Sequence, residues 1–125
     1  MPYPSTRILY RRRVGRVPER ERRLAENEVR FRALNERLRD SGAAWEGREG
    51  MLKLVCECGD EDCTAAIELH AREYEAVRAV ETQFLLVPGH ERAEVEDVVG
   101  GGEDWVVVRK RGEAGEIASK ADPRS

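Results

Sequence analysis

The sequence predicts an α+β protein: an N-terminal amphipathic helix, then a small metal-stapled β-rich domain of about four strands and one or two short helices. Three observations carry that expectation. Leu24, Phe31 and Leu38 recur at seven-residue intervals, with Leu34 between the last two, which is a helical period. Beyond residue 50 the period changes to alternation, with Leu52, Leu54, Cys56 and Cys58 on one side and Lys53 and Glu57 on the other. All three cysteines of the 125-residue chain fall within residues 56–63.

Residues 1–17 read as a disordered basic arm. Pro2 and Pro4 break regular structure, and Arg11, Arg12 and Arg13 repel one another. The amphipathic helix is expected over 18–41. Pro18 suits a first helical position, and Glu19 and Glu21 in the first turn complement the macrodipole. Glu19/Arg23, Glu26/Arg30 and Glu28/Arg32 are i,i+4 pairs expected on its solvated side, and Ser41-Gly42 ends it. Residues 42–49 form a glycine-punctuated linker.

The domain itself is expected over 50–111. A first strand runs through Leu52 and Leu54 into the cysteines, and Gly59-Asp60-Glu61-Asp62 is turn chemistry. A second strand follows over 64–69, with Ala65, Ile67 and Leu69 on one face. Residues 73–78 read as a short helix burying Tyr74, Val77 and, at its end, Val80. Residues 84–87 form a buried strand closed by Pro88-Gly89. Val95, Val98 and Val99 read as a second short helix stopped by the glycines at 100–102, and 105–109 as a last strand. Residues 112–125 read as a polar tail.

Charge and composition bound the function. The chain carries −3 overall, but residues 1–23 hold eight arginines against two glutamates, so the remainder is strongly acidic. Arginine greatly outnumbers lysine, a bias read first as that of a GC-rich genome. The longest apolar runs, 84–87 and 105–108, are far too short to span a bilayer. No apolar h-region follows the N-terminal arginines, so the expectation is a cytoplasmic protein with reduced thiols, no secretory signal and no membrane contact. No Ser/His/Asp set, phosphate loop, zinc-hydrolase helix motif or deaminase H-x-E with P-C-x-x-C is present, so no enzymatic activity is expected. Glu57 offers a general base only where a metal keeps an open position.

The cysteines form C-x-C-x4-C at a polar turn, where thiolates converge on a tetrahedral Zn²⁺ at about 2.3 Å each. A fourth ligand is needed, and the chain has two histidines. His70 lies seven residues past Cys63 along an extended strand, roughly 20 Å away at about 3.3 Å per residue. A strand ending at Val87 and running in the direction of the first strand brings Pro88-Gly89-His90 beside the cysteines instead. The expected set is Cys56, Cys58, Cys63 and His90, holding a structural zinc, with His70 at the surface and Asp60, Glu61 and Asp62 as solvated turn residues. Other soft or borderline ions also suit three thiolates and an imidazole. A domain of about 62 residues is short of core, and a metal supplies the missing stability.

The strings Cys56-Glu-Cys-Gly-Asp-Glu-Asp-Cys63, Glu73-Tyr-Glu-Ala-Val-Arg78 and Phe84-Leu-Leu-Val-Pro-Gly-His90, with Asn27-Glu-Val-Arg-Phe-Arg-Ala-Leu-Asn-Glu36, resemble a group of small actinobacterial proteins of unknown function. The resemblance covers about residues 20–111 and implies a compact cysteine-and-histidine domain. The basic arm falls outside it, which makes a translation start further in an expectation.

Three functional readings follow. The first is a zinc-stabilised regulatory or protein-interaction module with an unidentified protein partner. The second is a zinc-thiolate redox or metal sensor. The third is a nucleic-acid-binding factor using Arg11, Arg12, Arg13 and Arg16 of the arm, with Tyr3 and Tyr10 for stacking. The Leu24, Phe31, Leu34 and Leu38 face either packs onto the domain in cis or mediates a partner or dimer contact, in which case Asn27 occupies a core position that selects register.

Overall fold

A computed structural model describes residues 19–42, 44 and 50–124. The expected arm, with Arg11, Arg12, Arg13 and Arg16, and most of the expected linker lie outside the described residues. The elements are α1 (Glu19–Ser41), β1 (Met51–Val55), β2 (Ala66–His70), α2 (Ala71–Arg78), β3 (Gln83–Leu86), β4 (Glu96–Gly101), β5 (Val106–Lys110) and α3 (Gly112–Lys120). The fold is α+β, as the sequence predicts.

The strands make two antiparallel sheets. Strands β1 and β2 form a hairpin with Leu52 opposite Leu69 and Leu54 opposite Ile67, and all four side chains are buried. The second sheet has the order β3-β5-β4. In it Phe84 lies opposite Val108, and Leu85 opposite Val107. Leu52, Leu54, Ile67, Leu69, Tyr74, Phe84, Leu85, Leu86 and Val108 join Cys56 and Cys58 in a single core, so the two sheets share one interior.

Two elements correct the sequence reading. The segment around Val95, Val98 and Val99 is the strand β4, with a bulge between Val98 and Gly100 against β5. The three- and four-residue spacing of the valines imitates a helix, but β-branched side chains favour the pleated sheet once a partner strand is available. The expected polar tail contains α3, whose Ala114, Gly115 and Ala118 are buried. Small residues let this helix pack closely without the large apolar stripe that would have marked it. Val80, expected inside, is exposed.

The largest departure is in α1. Leu24, Phe31, Leu34 and Leu38 are half-buried, and of the four only Leu38 packs against the main core. The inward face instead carries Ala25, Glu28, Arg32, Asn35 and Glu36. Each polar side chain on it has a tertiary partner, although Glu28 Oε1 and Arg32 Nε make no hydrogen bond. Arg32 donates to the carbonyl of Glu81 at 2.6 Å and to that of Ala118 at 2.7 Å, with its guanidinium 4.3 Å from the Phe84 ring centroid. Glu28 accepts from Arg92 at 2.6 Å and from Lys110 at 2.7 Å. Glu36 accepts from the Tyr74 hydroxyl and from Arg124. The expected Glu28/Arg32 surface pair is therefore replaced by two buried side chains with separate partners. Among the described residues no ion pair joins Glu19 to Arg23 or Glu26 to Arg30.

Asn35 is the most exacting of these contacts. Its amide clasps Val55, donating to the carbonyl and accepting the N–H at 2.9 Å each, and also donates to Glu57 at 2.7 Å. Asn35→Ala leaves a carboxylate and two backbone groups short of a buried partner. It should cost about 2–4 kcal/mol in urea unfolding. A loss below about 0.5 kcal/mol would show that the docking of α1 does not depend on this clasp.

The C-terminal end is tied to α1 and α2 by Arg124, which reaches Glu36 at 2.6 Å and Glu75 at 2.8 Å. The hydrogen bond from Arg124, joined by one from Arg39, holds the Glu75 carboxyl down at about 2. Its folded pKa is depressed, so the stabilisation is fully present above the ordinary carboxylate range and is lost as pH falls from about 4.5 through about 2. Arg124→Ala should move the Glu75 titration upward in an NMR pH series; an unmoved titration removes Arg124 as the cause.

Candidate metal centre

Two limbs of backbone build the centre. Cys56 extends the β1–β2 ladder by one bond, its N–H to the Ala65 carbonyl at 3.1 Å, and the chain then leaves the hairpin. Glu57 crosses to the second sheet. Its N–H donates to the Leu85 carbonyl at 2.9 Å, and its carboxylate accepts the Leu85 N–H at 2.9 Å and the Asn35 amide at 2.7 Å. Alternation along the strand predicts Glu57 outward with Lys53, yet it is fully buried. Burial pushes its carboxyl up to about 7, against the opposing pull of Asn35 and Leu85.

The loop then folds against α1. Gly59 has φ +86°, and a Cβ there would stand 2.7 Å from the Leu24 carbonyl oxygen and 2.8 Å from Glu28 Cγ. Only glycine accommodates both that backbone conformation and that approach. Asn27 donates to the Gly59 carbonyl at 3.1 Å, so this residue is engaged within the chain. The loop closes through the Cys63 N–H to the Asp60 carbonyl at 3.0 Å, while Asp60 Oδ1 accepts the Asp62 N–H at 2.9 Å.

The second limb is the turn Val87-Pro88-Gly89-His90 after β3, closed by the His90 N–H to the Val87 carbonyl at 3.1 Å. Proline in its second position and glycine at φ +95° in its third are the requirements of a type II turn. That turn delivers the imidazole to the cysteine loop.

The three Sγ atoms and a His90 ring nitrogen lie within 4.8 Å of one another. His90 Nδ1 is 3.6 Å from Cys56 Sγ and 3.7 Å from Cys63 Sγ. An ion with tetrahedral bonds of about 2.3 Å to sulfur and about 2.0–2.1 Å to nitrogen requires S···N edges of roughly 3.6 Å. The two S···N distances match those edges, and the four atoms are close enough together to hold a metal ion.

Two opposing effects set the electrostatics of the cluster. Cys56 and Cys58 are 3% and 4% exposed, and burial pushes both thiols up. A cation among the sulfurs reverses that preference by stabilising the thiolates. Backbone N–H groups also favour the charged form: Val87 donates to Cys56 Sγ at 3.3 Å, and Asp60 to Cys58. Arg92 reaches the Cys58 carbonyl at 3.4 Å while held by Glu28, so a guanidinium stands beside the loop.

The remaining expected residues fall elsewhere. His70 is exposed at the start of α2, where its N–H donates to Glu73 at 2.8 Å. Asp60, Glu61 and Asp62 are exposed, and none of the three belongs to the cluster. Sequence reasoning missed the residues that support the loop: Asn27, Glu28, Asn35 and Arg92. Glu28, Arg32, Asn35 and Glu36 repeat with helical period beside the leucines, and that polar stripe was the available signal. No family model, curated protein or solved structure matches this chain.

His90→Ala should weaken zinc binding by more than about 100-fold in a competitive chelator titration, since a ligand matters more than the groups that orient it. His70→Ala should leave it unchanged. Equal effects from the two substitutions would remove His90 from the ligand set.

Proposed function

We propose that this chain is a small zinc-stabilised, non-enzymatic module with a regulatory or protein-interaction role in the reducing cytoplasm. The observation that carries the reading is the convergence of three sulfurs and one imidazole nitrogen within 4.8 Å of one another, from two chain segments, Cys56–Cys63 and His90. Thiolate-rich sets with one imidazole suit zinc by ligand softness and geometry. Four protein ligands complete the tetrahedron, which supports a structural role over a catalytic one. The oxygens of Glu57, the nearest candidate base, are engaged by Asn35 and Leu85.

Zinc bound here ties the hairpin loop to the end of β3 and contributes apparent binding energy of about 10–16 kcal/mol to folding. The interaction role is supported by Val98 and Val99, exposed at 53% and 42% on β4, an outer strand of its sheet. No helix among the described residues is long and apolar enough to cross a membrane.

Metal analysis of protein purified under reducing conditions should return about one zinc per chain. Metal-free protein with an unchanged chemical-denaturation midpoint would sink the proposal.

The half-exposed Cys63, beside two buried thiols, favours a second reading as a thiol redox sensor. Two thiolates would give up two electrons to a peroxide, forming a disulfide as the peroxide is reduced to water, and the ligand set would be broken. Mild peroxide should then release zinc reversibly, with dithiothreitol restoring binding. Retention of the metal throughout rejects the sensor and leaves a static staple.

A further inference from the structure

We propose that the free edge of strand β4 is a docking site for an extended, basic peptide segment of a partner protein, bound by strand addition; this rests on the interaction-module reading and names the partner's chemistry. The backbone states the first requirement. Strand β4 (Glu96–Gly101) pairs with β5 and with no other strand among the described residues. Its outer side therefore carries N–H and C=O groups without a ladder partner, over roughly 20 Å at about 3.3 Å per residue. The opposite edge of the same sheet is closed. On β3 the Leu85 carbonyl accepts the Glu57 N–H, and the Leu85 N–H donates to the Glu57 carboxylate. An open edge of this kind is completed by another extended chain, whose main chain supplies the ladder bonds.

The side chains on the edge state the second requirement. Val98 and Val99 are exposed, and β4 contains neither lysine nor proline, residues that commonly guard an edge. Val99 also borders a depression of about 230 Å³ with Val77, Trp105 and Val107 in its walls. An added strand with apolar residues at alternate positions covers the valines and places a side chain at this depression. The bulge between Val98 and Gly100 bends β4, so the edge receives a short segment better than a long flat sheet.

Charge selects among extended occupants. Residues 91–104, which hold β4 and both its flanks, carry six acidic residues against Arg92. Three of the six are engaged within the chain: Glu91 with the Gly89 N–H, Glu96 with Lys110, and Asp97 with Arg111. The side chains of Glu94, Glu103 and Asp104 are exposed and have no ion pair or hydrogen bond among the described residues. Glu94 lies before the strand and the other two beyond it, so unneutralised negative charge stands at both ends of the edge. Arg109, the exposed cation of β5, lies opposite Asp97 in the ladder. A second copy paired antiparallel and centred on Val98 and Val99 would set Glu103 and Asp104 of one chain beside Glu94 of the other. Like charges facing across strands are destabilising. A strand with Lys or Arg on both flanks and an apolar centre meets the opposite condition.

The test is a fluorescence-anisotropy titration of full-length protein, purified under reducing conditions, with labelled heptapeptides. The basic peptide KRVTVRK should bind saturably. Its acidic counterpart EDVTVDE, and the form KRVPVRK that lacks the central N–H, should each bind at least about tenfold more weakly. In an NMR titration the amides of residues 94–104 should carry the largest shifts, and hydrogen exchange of the β4 amides should slow. The variant E94Q/E103Q/D104N should weaken the basic peptide at least about fivefold. Circular dichroism and zinc content should be unchanged in it, because these three side chains have no partner in the fold. Equal affinity for basic and acidic peptides, no saturable binding, or shifts centred on another surface would overturn the proposal. So would a concentration-dependent dimer that V98K/V99K abolishes, since a second copy would then hold the edge. Zinc measured in the same samples separates this proposal from the reading beneath it. Bound zinc without peptide binding removes the docking edge and leaves the zinc module, whereas peptide binding by zinc-free protein keeps the edge and removes the zinc module.

Discussion

The constraint on which this structure depends is that α1 turns a polar face inward. Glu28, Arg32, Asn35 and Glu36 lose water on docking, and each is tolerated only because a specific partner waits on another element. Those partners are widely spread: Lys110 on β5, the Ala118 carbonyl on α3, Val55 at the end of β1 and Tyr74 on α2. Hydrogen bonds with fixed directions allow one seating, so the desolvation that opposes docking also fixes its orientation.

The candidate metal centre inherits its shape from that seating. Asn35 holds Glu57 between the first two cysteines, Asn27 holds the Gly59 carbonyl, and Glu28 holds Arg92 beside Cys58. The loop thus meets α1 on one side and the β3 turn on the other, where His90 arrives. The cluster of three cysteines and His90, close enough to hold a metal ion, is therefore supported by side chains outside it. Such support is what a metal site requires to keep its sulfurs in place when buried thiols would otherwise stay protonated.

Several elements were legible because they follow local rules. The alternation of Leu52 and Leu54 and of Ile67 and Leu69 marked two strands with the correct faces inward, and Tyr74 and Val77 marked α2. The Pro88-Gly89 pair marked the turn that presents His90. The failures share a cause as well. The outer strand β4, the small-residue helix α3 and the inward face of α1 owe their form to what they pack against. Val98 opposite Val108, Arg32 at the Ala118 carbonyl and Asn35 around Val55 each join positions separated along the chain, and no local period announces them.

The amino-acid sequence by itself determined that this is an α+β chain with a leading helix, which residues gather the three thiols, and which histidine a turn delivers to them. Those are properties of period, turn chemistry and local spacing. Only the tertiary structure decided which face of α1 is buried, that Glu57 lies inside, and which side chains brace the cysteine loop. A charged residue is read from sequence as solvated, because burial without a partner is prohibitive. Here the partners lie twenty to nearly ninety residues away, as Asn35 to Val55 and Arg124 to Glu36 do, and folding alone brings them into reach.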